Sequence, residues 1–403
     1  VLEDGRIGER VRYWRLRRNL DRKQFADMVG RSTSWLDKIE SGERDLTRLP
    51  MLERVAEVLD LDPSVLTDVA TAKRTAQCVD ATEVSAIRTA LAHYPGVTVR
   101  SSDEVALPAI QRQADYLDHA WLASHFTVVA RHLPALMRDA QTAVLTMSDA
   151  DQVAAHRVLV TAYRLASSML LKFEATDIAW LAADRAMHTA LAATDTWSLA
   201  RASRSVARAM ASTHQRREAI AVLVDMTDRM RSEVNTDEHN LLSLYGMLYL
   251  ASSITAAEQG DASLARAMHD EAMAAALRVT PHHDSHFTLF GQTNVLIHRV
   301  SALVRLHKAG NALEFAHTIG PPAVRALPPE RRANYLLDLT EAHTAVGKYA
   351  QAARLLGQAE QTAPEEVRCR PLAHGLLRSL LNNTRGEPAK LVKQMADRAG
   401  VAA

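Results

Sequence analysis

The chain has 403 residues, 47% of them hydrophobic and 24% charged, with a formal net charge of +1. That length exceeds one small module and predicts two or more domains with a sizeable core. No apolar run reaches the ~18 residues of a membrane span and the charged opening VLEDGRIGERVR lacks a signal-peptide core, so a cytoplasmic protein with no membrane partner is expected.

Charge is unevenly spread. Residues 5–48 hold 12 Lys or Arg against 7 Asp or Glu, a local surplus suited to a polyanion. Ile7, Val11 and Trp14 recur at helical spacing with Arg10, Arg12, Arg15, Arg17 and Arg18 around them, predicting a first helix with an apolar seam in a basic surround, ending near Asn19. Asp21 caps a second helix, whose Phe25, Ala26 and Val29 face inward before Gly30 permits a turn. Ser32 caps a third, with Trp35, Leu36 and Ile39 toward the core and Thr33, Ser34, Asp37 and Lys38 outward. Leu52, Val55, Ala56 and Leu59 mark a fourth helix, and Pro63 opens a short fifth. Residues 21–40 thus read as helix, glycine turn and helix, the arrangement that lays a short helix in the DNA major groove.

Residues 71–77 are polar and weakly patterned, as in a hinge. Asp80 and Glu83 have capping-box spacing before Val84, Ile87 and Leu91, predicting a helix to His93 that YPGVTVRSSDEVALP ends. From Pro108 the pattern is helix after helix, with no alternating strand. The expected fold is all-α: a helix-turn-helix domain at 1–70, a linker with one helix at 71–107, and a helical repeat domain at 108–403.

The order of five short helices, with IGERVRYWRLRR, the turn at Gly30, KIESGER and LDLDPSVL, resembles the XRE family, the lambda-repressor and Cro type of DNA-binding domain, over residues 7–68. The resemblance implies that Thr33, Ser34, Asp37 and Lys38 read base edges, and that Arg22, Lys23, Ser32, Arg44 and Arg48 contact phosphates. Arg22 stands where the family usually has Gln. Asp37 is a carboxylate on a face that meets DNA, where it either accepts from a cytosine amino group or pairs with Lys38.

The stretch AVGKYAQAARLLGQAEQTAP has the spacing of the second half of a tetratricopeptide repeat, through Gly347, Tyr349, Ala352, Leu356, Ala359 and Pro364. Weaker copies put the equivalent of Ala352 at Ala179, Ala219, Ala265 and Ala312, at intervals longer than the family's usual ~34 residues. Stacked helix pairs form a curved solenoid lined by the first helix of each pair. The register of that family implies a ligand groove carrying Asn294 and Asn334, whose amides both donate and accept, with Arg164, Lys172, Arg201, Arg204 and Arg208 in earlier repeats. The last three share one side of a helix, and read either as a solvated basic stripe or as an anion site. His298, one turn after Asn294, either joins a pocket or satisfies a core contact.

An XRE-type head followed by such repeats resembles the RRNPP peptide-pheromone regulators and a set of actinobacterial XRE regulators, the latter also in FGQTNVLIHRV, ERRANYLLDL and AEQTAPEEVRCRP. The expectation is a dimeric, sequence-specific transcription regulator on a palindromic double-stranded DNA operator, with a repeat domain that senses a signalling peptide, a small anionic ligand or a partner protein. The rival expectation is an interaction scaffold with the helix-turn-helix as a docking module. Cys78 and Cys369 fit no metal or redox spacing, and reduced thiols are expected. His282, His283, Asp284 and His286 could hold zinc, but a polar surface turn is the expected reading. With no HExxH, GxSxG, phosphate loop or GxGxxG in the sequence, neither catalysis nor a cofactor is expected.

Overall fold

The computed structural model describes residues 6–69, 78–94, 105–234, 239–279 and 288–402, which form 22 helices and no strand. They divide into two units, Val1–Glu83 and Val84–Ala403. The fold is all-α, a five-helix helix-turn-helix domain followed along the chain by tetratricopeptide-like helix hairpins.

The first unit contains α1 (Ile7–Arg17), α2 (Arg22–Val29), α3 (Thr33–Glu40), α4 (Leu49–Val58) and α5 (Pro63–Thr67). Val11, Trp14, Phe25, Leu36, Ile39, Val55, Leu59 and Leu66 make its core. Asp21 and Gln24 close a reciprocal capping box at the start of α2, satisfying amides the helix itself cannot. Gly30 ends α2 at φ 73°, and the Ser32 hydroxyl accepts from the Trp35 amide at 3.2 Å. These two local devices set the direction of α3. Gly8 lets α1 lie directly against its end, since a Cβ there would sit 1.8 Å from the Ile39 carbonyl oxygen.

The basic surround expected on α1 is corrected by the structure. Arg10, Arg15 and Arg17 are buried and bond inward: Arg10 to the Leu66 carbonyl at 2.7 Å, Arg15 to Glu40 at 2.6 and 3.0 Å, and Arg17 to Glu83 at 2.8 and 2.9 Å. Arg18 donates to the Leu59 carbonyl and to Asp80. A long guanidinium stem packs like an apolar side chain while its head meets a fixed acceptor. Much of the local positive surplus is therefore neutralised inside the domain, and Arg12 is left exposed. Asp80 and Glu83, predicted as the capping box of α6 (Ala81–Leu91), do bond each other's amides as well as these arginines.

In the second unit α7 (Leu107–Leu122) pairs with α8 (Phe126–Thr146), α9 (Asp149–Lys172) with α10 (Thr176–Ala193), α11 (Thr196–Ser212) with α12 (Arg216–Val234), and α13 (His239–Glu258) with α14 (Ala262–Arg278). Then α15 (Gln292–Arg305) pairs with α16 (Ala309–Ala316), α18 (Pro329–Ala345) with α19 (Tyr349–Thr362) and α21 (Pro371–Asn383) with α22 (Glu387–Ala399), with α17 (Pro321–Arg325) and α20 (Pro364–Arg368) as short connectors. Ala179, Ala219, Ala265, Ala312 and Ala352 are all buried near the start of the second helix of a pair. Each of these five hairpins turns through one left-handed residue, at Glu174, His214, Gly260, His307 and Gly347. The residue after it bonds back five positions, as Ala175 to the Leu170 carbonyl and Lys348 to that of His343, capping the first helix. Ser124, with His125 bonded to the Ala120 carbonyl, forms the same turn before α8. Val129 there takes the alanine position, so this repeat has no alanine to announce it.

The first helices of successive pairs stack side by side, but they do not form an open trough. Helix α7 also lies against α18. Glu365 accepts from the Thr127 amide at 2.9 Å and hydroxyl at 3.0 Å, and Glu366 from Ser124. Lys172 at the end of α9 binds both Glu330 on α18, at 3.1 Å, and Glu366 on α20. The expected groove is a half-open pocket, narrowed where carboxylates from the late repeats bind the early ones.

Candidate functional site

In the first unit Thr33, Ser34, Asp37 and Lys38 are all exposed on one face of α3, while Leu36 and Ile39 on its other face are buried. Arg22, Lys23, Ser32, Arg44 and Arg48 are exposed as well. The Arg44 amide is tied to the Lys38 carbonyl at 2.9 Å, which holds the following loop to the end of α3. The Ser32 hydroxyl is occupied by its helix cap. Asp37 pairs with Arg22, at 3.3 Å, and not with Lys38. The Arg22 Nε is also 3.8 Å from buried Glu40. One exposed face thus carries hydroxyls, an ammonium and a guanidinium on a rigid base, groups that donate to base edges and phosphates.

In the second unit the first helices line a half-open cavity of ≈460 Å³, whose wall includes Arg164, Lys172, Arg201, Arg204, Arg208, His298 and Asn334. Seven of the eight candidate groove residues, Lys172 and His298 included, reach it. Asn294 does not reach the wall. It is buried one turn behind His298, with its Nδ2 3.8 Å from the Met247 sulfur. The His298 Nδ1 is 2.7 Å from the Asn294 carbonyl, which only accepts, so Nδ1 carries the proton and Nε2 is an acceptor. Burial and then Arg331 push that imidazole down to about 3, so it stays neutral.

Most of the cavity's charges are paired. Asp118 binds Arg164 and Arg201. Glu330 binds Lys172 and Arg331, and Glu366 binds Lys172 and Arg370. Burial alone would raise the Glu330 carboxyl, but Arg331 and Lys172 outweigh it and hold it down at about 2. The Asn334 amide donates to Glu330 and accepts from Arg370 at 2.8 Å. It uses both functions the sequence reading assigned to it, but on protein groups. Arg305, also in the wall, meets Glu341 at 2.8 Å and Asp338 at 3.4 Å. Arg305, Arg331, Arg370, Asp118, Glu330, Glu366 and Asp338 escaped the sequence reading. The one readable signal was Glu330, a helical turn before Asn334 and on the same face.

Among the described residues no group of three or more His, Cys, Asp or Glu could hold a metal. His282, His283, Asp284 and His286 lie outside the described residues. Cys78 and Cys369 form no disulfide among the described residues. No described helix is long and apolar enough to cross a membrane.

The five short helices, the capped turn and the exposed face of α3 define a helix-turn-helix domain. The family model described as "Helix-turn-helix domain" matches residues 6–68. No curated protein matches the sequence. Among solved structures, PlcR of Bacillus thuringiensis, in complex with the peptide PapR7 and DNA, aligns with 85% of this chain and 98% of its own at 12% identity and a TM-score of 0.37. At that level the likeness assigns no ligand or residue role to this chain.

Proposed function

We propose that the protein is a sequence-specific DNA-binding transcription regulator that acts as a dimer, with the helical unit sensing a peptide, a small ligand or a partner protein. The observation that carries the reading is the exposed quartet Thr33, Ser34, Asp37 and Lys38 on α3 of a matched helix-turn-helix domain, flanked by exposed Arg22, Lys23, Arg44 and Arg48. In this reading the quartet reads base edges and the flanking cations grip phosphates, fixing register without sequence information. A dimer follows from geometry: one short helix reads few bases, whereas two reach half-sites about 34 Å apart. The sensing role is supported by the charged cavity of the second unit, whose size falls in the range of ligand pockets.

The test is selection of a binding site from random duplexes, then comparison of selected and scrambled DNA at about 150 mM salt. A preference lost when Thr33, Ser34 and Lys38 are replaced together by alanine supports the reading. Equal affinity for both duplexes overturns it.

A further inference from the structure

Two cations of the cavity stand apart from its ion-pair network. Arg204 on α11 has no hydrogen-bond or carboxylate partner among the described residues, and its Nε is buried without an acceptor. Arg208, one turn further on, donates among the described residues to the Ser168 hydroxyl, at 3.1 Å, and to no carboxylate. Arg331 gives Nη1 to Glu330, but its Nε is likewise buried without an acceptor. Burial lowers the pKa of Arg204, and Arg208, Arg331 and Arg164 lower it further by repulsion, which Glu330 only partly opposes. Burial acts first on Arg208 too, followed by Arg331, again with Glu330 acting the other way. A largely buried guanidinium with no carboxylate in contact is costly, and its planar fork matches an oxyanion in two parallel hydrogen bonds.

The deficit is two charges on one helix face. A carboxylate supplies one and leaves the other guanidinium unmatched. A phosphate monoester supplies about −1.5 to −2 at pH 7 and three acceptor oxygens. The same lining offers groups for a hydroxylated body: His298, within electrostatic reach of Arg331 and Arg204, as an acceptor, and the Asp338 carboxylate beside Arg305. We propose that the cavity binds a small phosphate monoester, its phosphate held by Arg204 and Arg208 with Arg331, and its hydroxyl-bearing body directed toward His298 and Asp338. The inference rests on the sensing reading only in using the same cavity, and names the chemical class of the ligand.

Calorimetry on the full chain tests it with inorganic phosphate, ribose 5-phosphate, ribose and succinate as probes. Ribose 5-phosphate is expected to bind at least about tenfold more tightly than succinate, ribose to give no heat, and Arg204→Gln and Arg208→Gln each to weaken phosphate binding by about tenfold or more. Arg204→Met checks that the effect is not misfolding: without its unmatched charge the empty protein is expected to melt about 2 °C higher or more. Ribose 5-phosphate binding no tighter than succinate, or phosphate binding that ignores Arg204, overturns the proposal, as does Arg204→Met melting lower than wild type. DNA affinity is read separately. Arg204-dependent phosphate binding that leaves operator affinity unchanged sinks the sensing reading and keeps the ligand class; operator affinity that responds to a peptide but to neither phosphate probe does the reverse.

Discussion

The Arg22 guanidinium and the Asp37 carboxylate face each other at 3.3 Å across the turn between α2 and α3, each more than half exposed. This pair explains how an acid is tolerated beside proposed phosphate contacts: Asp37 holds Arg22 and offsets its charge. An exposed pair contributes little to stability, so its effect should be read in DNA binding. Asp37→Asn is expected to release Arg22 to a phosphate, tightening non-specific binding and steepening the dependence of log K on log salt by about 0.9. Fluorescence anisotropy with random duplexes across a salt series measures both. An unchanged slope would mean that Arg22 already contacts DNA with Asp37 in place.

The buried partner of the same acidic cluster behaves differently. Glu40 receives two bonds from Arg15, and both side chains are almost wholly buried. Glu40→Ala leaves the guanidinium without its carboxylate and is expected to destabilise the first unit by about 3–5 kcal/mol. Amide exchange in α1 and α3, followed through urea unfolding, reports this unit; a loss under 1 kcal/mol would contradict it. Gly8→Ala should act on the same contact through sterics, because its Cβ cannot coexist with the Ile39 carbonyl.

Lys172 joins early and late helices of the second unit and lies over Phe126 and Trp121, 4.3 and 4.8 Å from their ring centroids. Lys172→Met keeps the stem's packing but removes the shared cation from Glu330 and Glu366. A stability loss of about 3–5 kcal/mol is expected, with α7 exchanging its amides faster than α12. Equal acceleration in both helices would show that Lys172 does not specifically tie the two ends.

Asp338 gives the cavity a pH signature. Burial, opposed by Arg305, pushes its carboxyl up to about 6, against ~3.9 for the unfolded chain. Between these values the native state keeps a proton that the unfolded chain has lost, so its contribution to stability is present below about pH 4 and fades as the pH rises through 6. Glu330, held near 2, acts in the opposite direction, its contribution being lost as pH falls below ~4.5. Asp338→Asn is therefore expected to gain roughly 2–3 kcal/mol relative to wild type between pH 4 and pH 7. Urea melts at each pH measure the difference, and a constant offset would rule the titration out.

The parts legible in the sequence are those written locally. Asp21, Gly30 and Ser32 act within a few residues of themselves, and Ala179 through Ala352 mark hairpins by their small size. What could not be read depends on partners far along the chain. Arg15 looks like a surface cation until Glu40 is placed beside it, and Lys172 has no visible relation to Glu366. The first hairpin went unseen because Val129 replaces the marker alanine. Asn294 and Asn334 share a register, yet only Asn334 faces the cavity, since Asn294 is turned toward Met247.

The bond between Lys172 and its carboxylates also bears on how the chain reaches its native state. Glu330 and Glu366 lie 158 and 194 residues beyond it. At synthesis rates of about 5–20 residues per second, Lys172 leaves the ribosome roughly 10–40 seconds before Glu366. Until then the early hairpins carry a cation whose burial site is incomplete, and the closing step must overcome the entropy of a long loop. Stacked hairpins ordinarily acquire stability one neighbour at a time as they emerge. Here part of what holds the earliest hairpins waits for carboxylates 158 and 194 residues further along the chain.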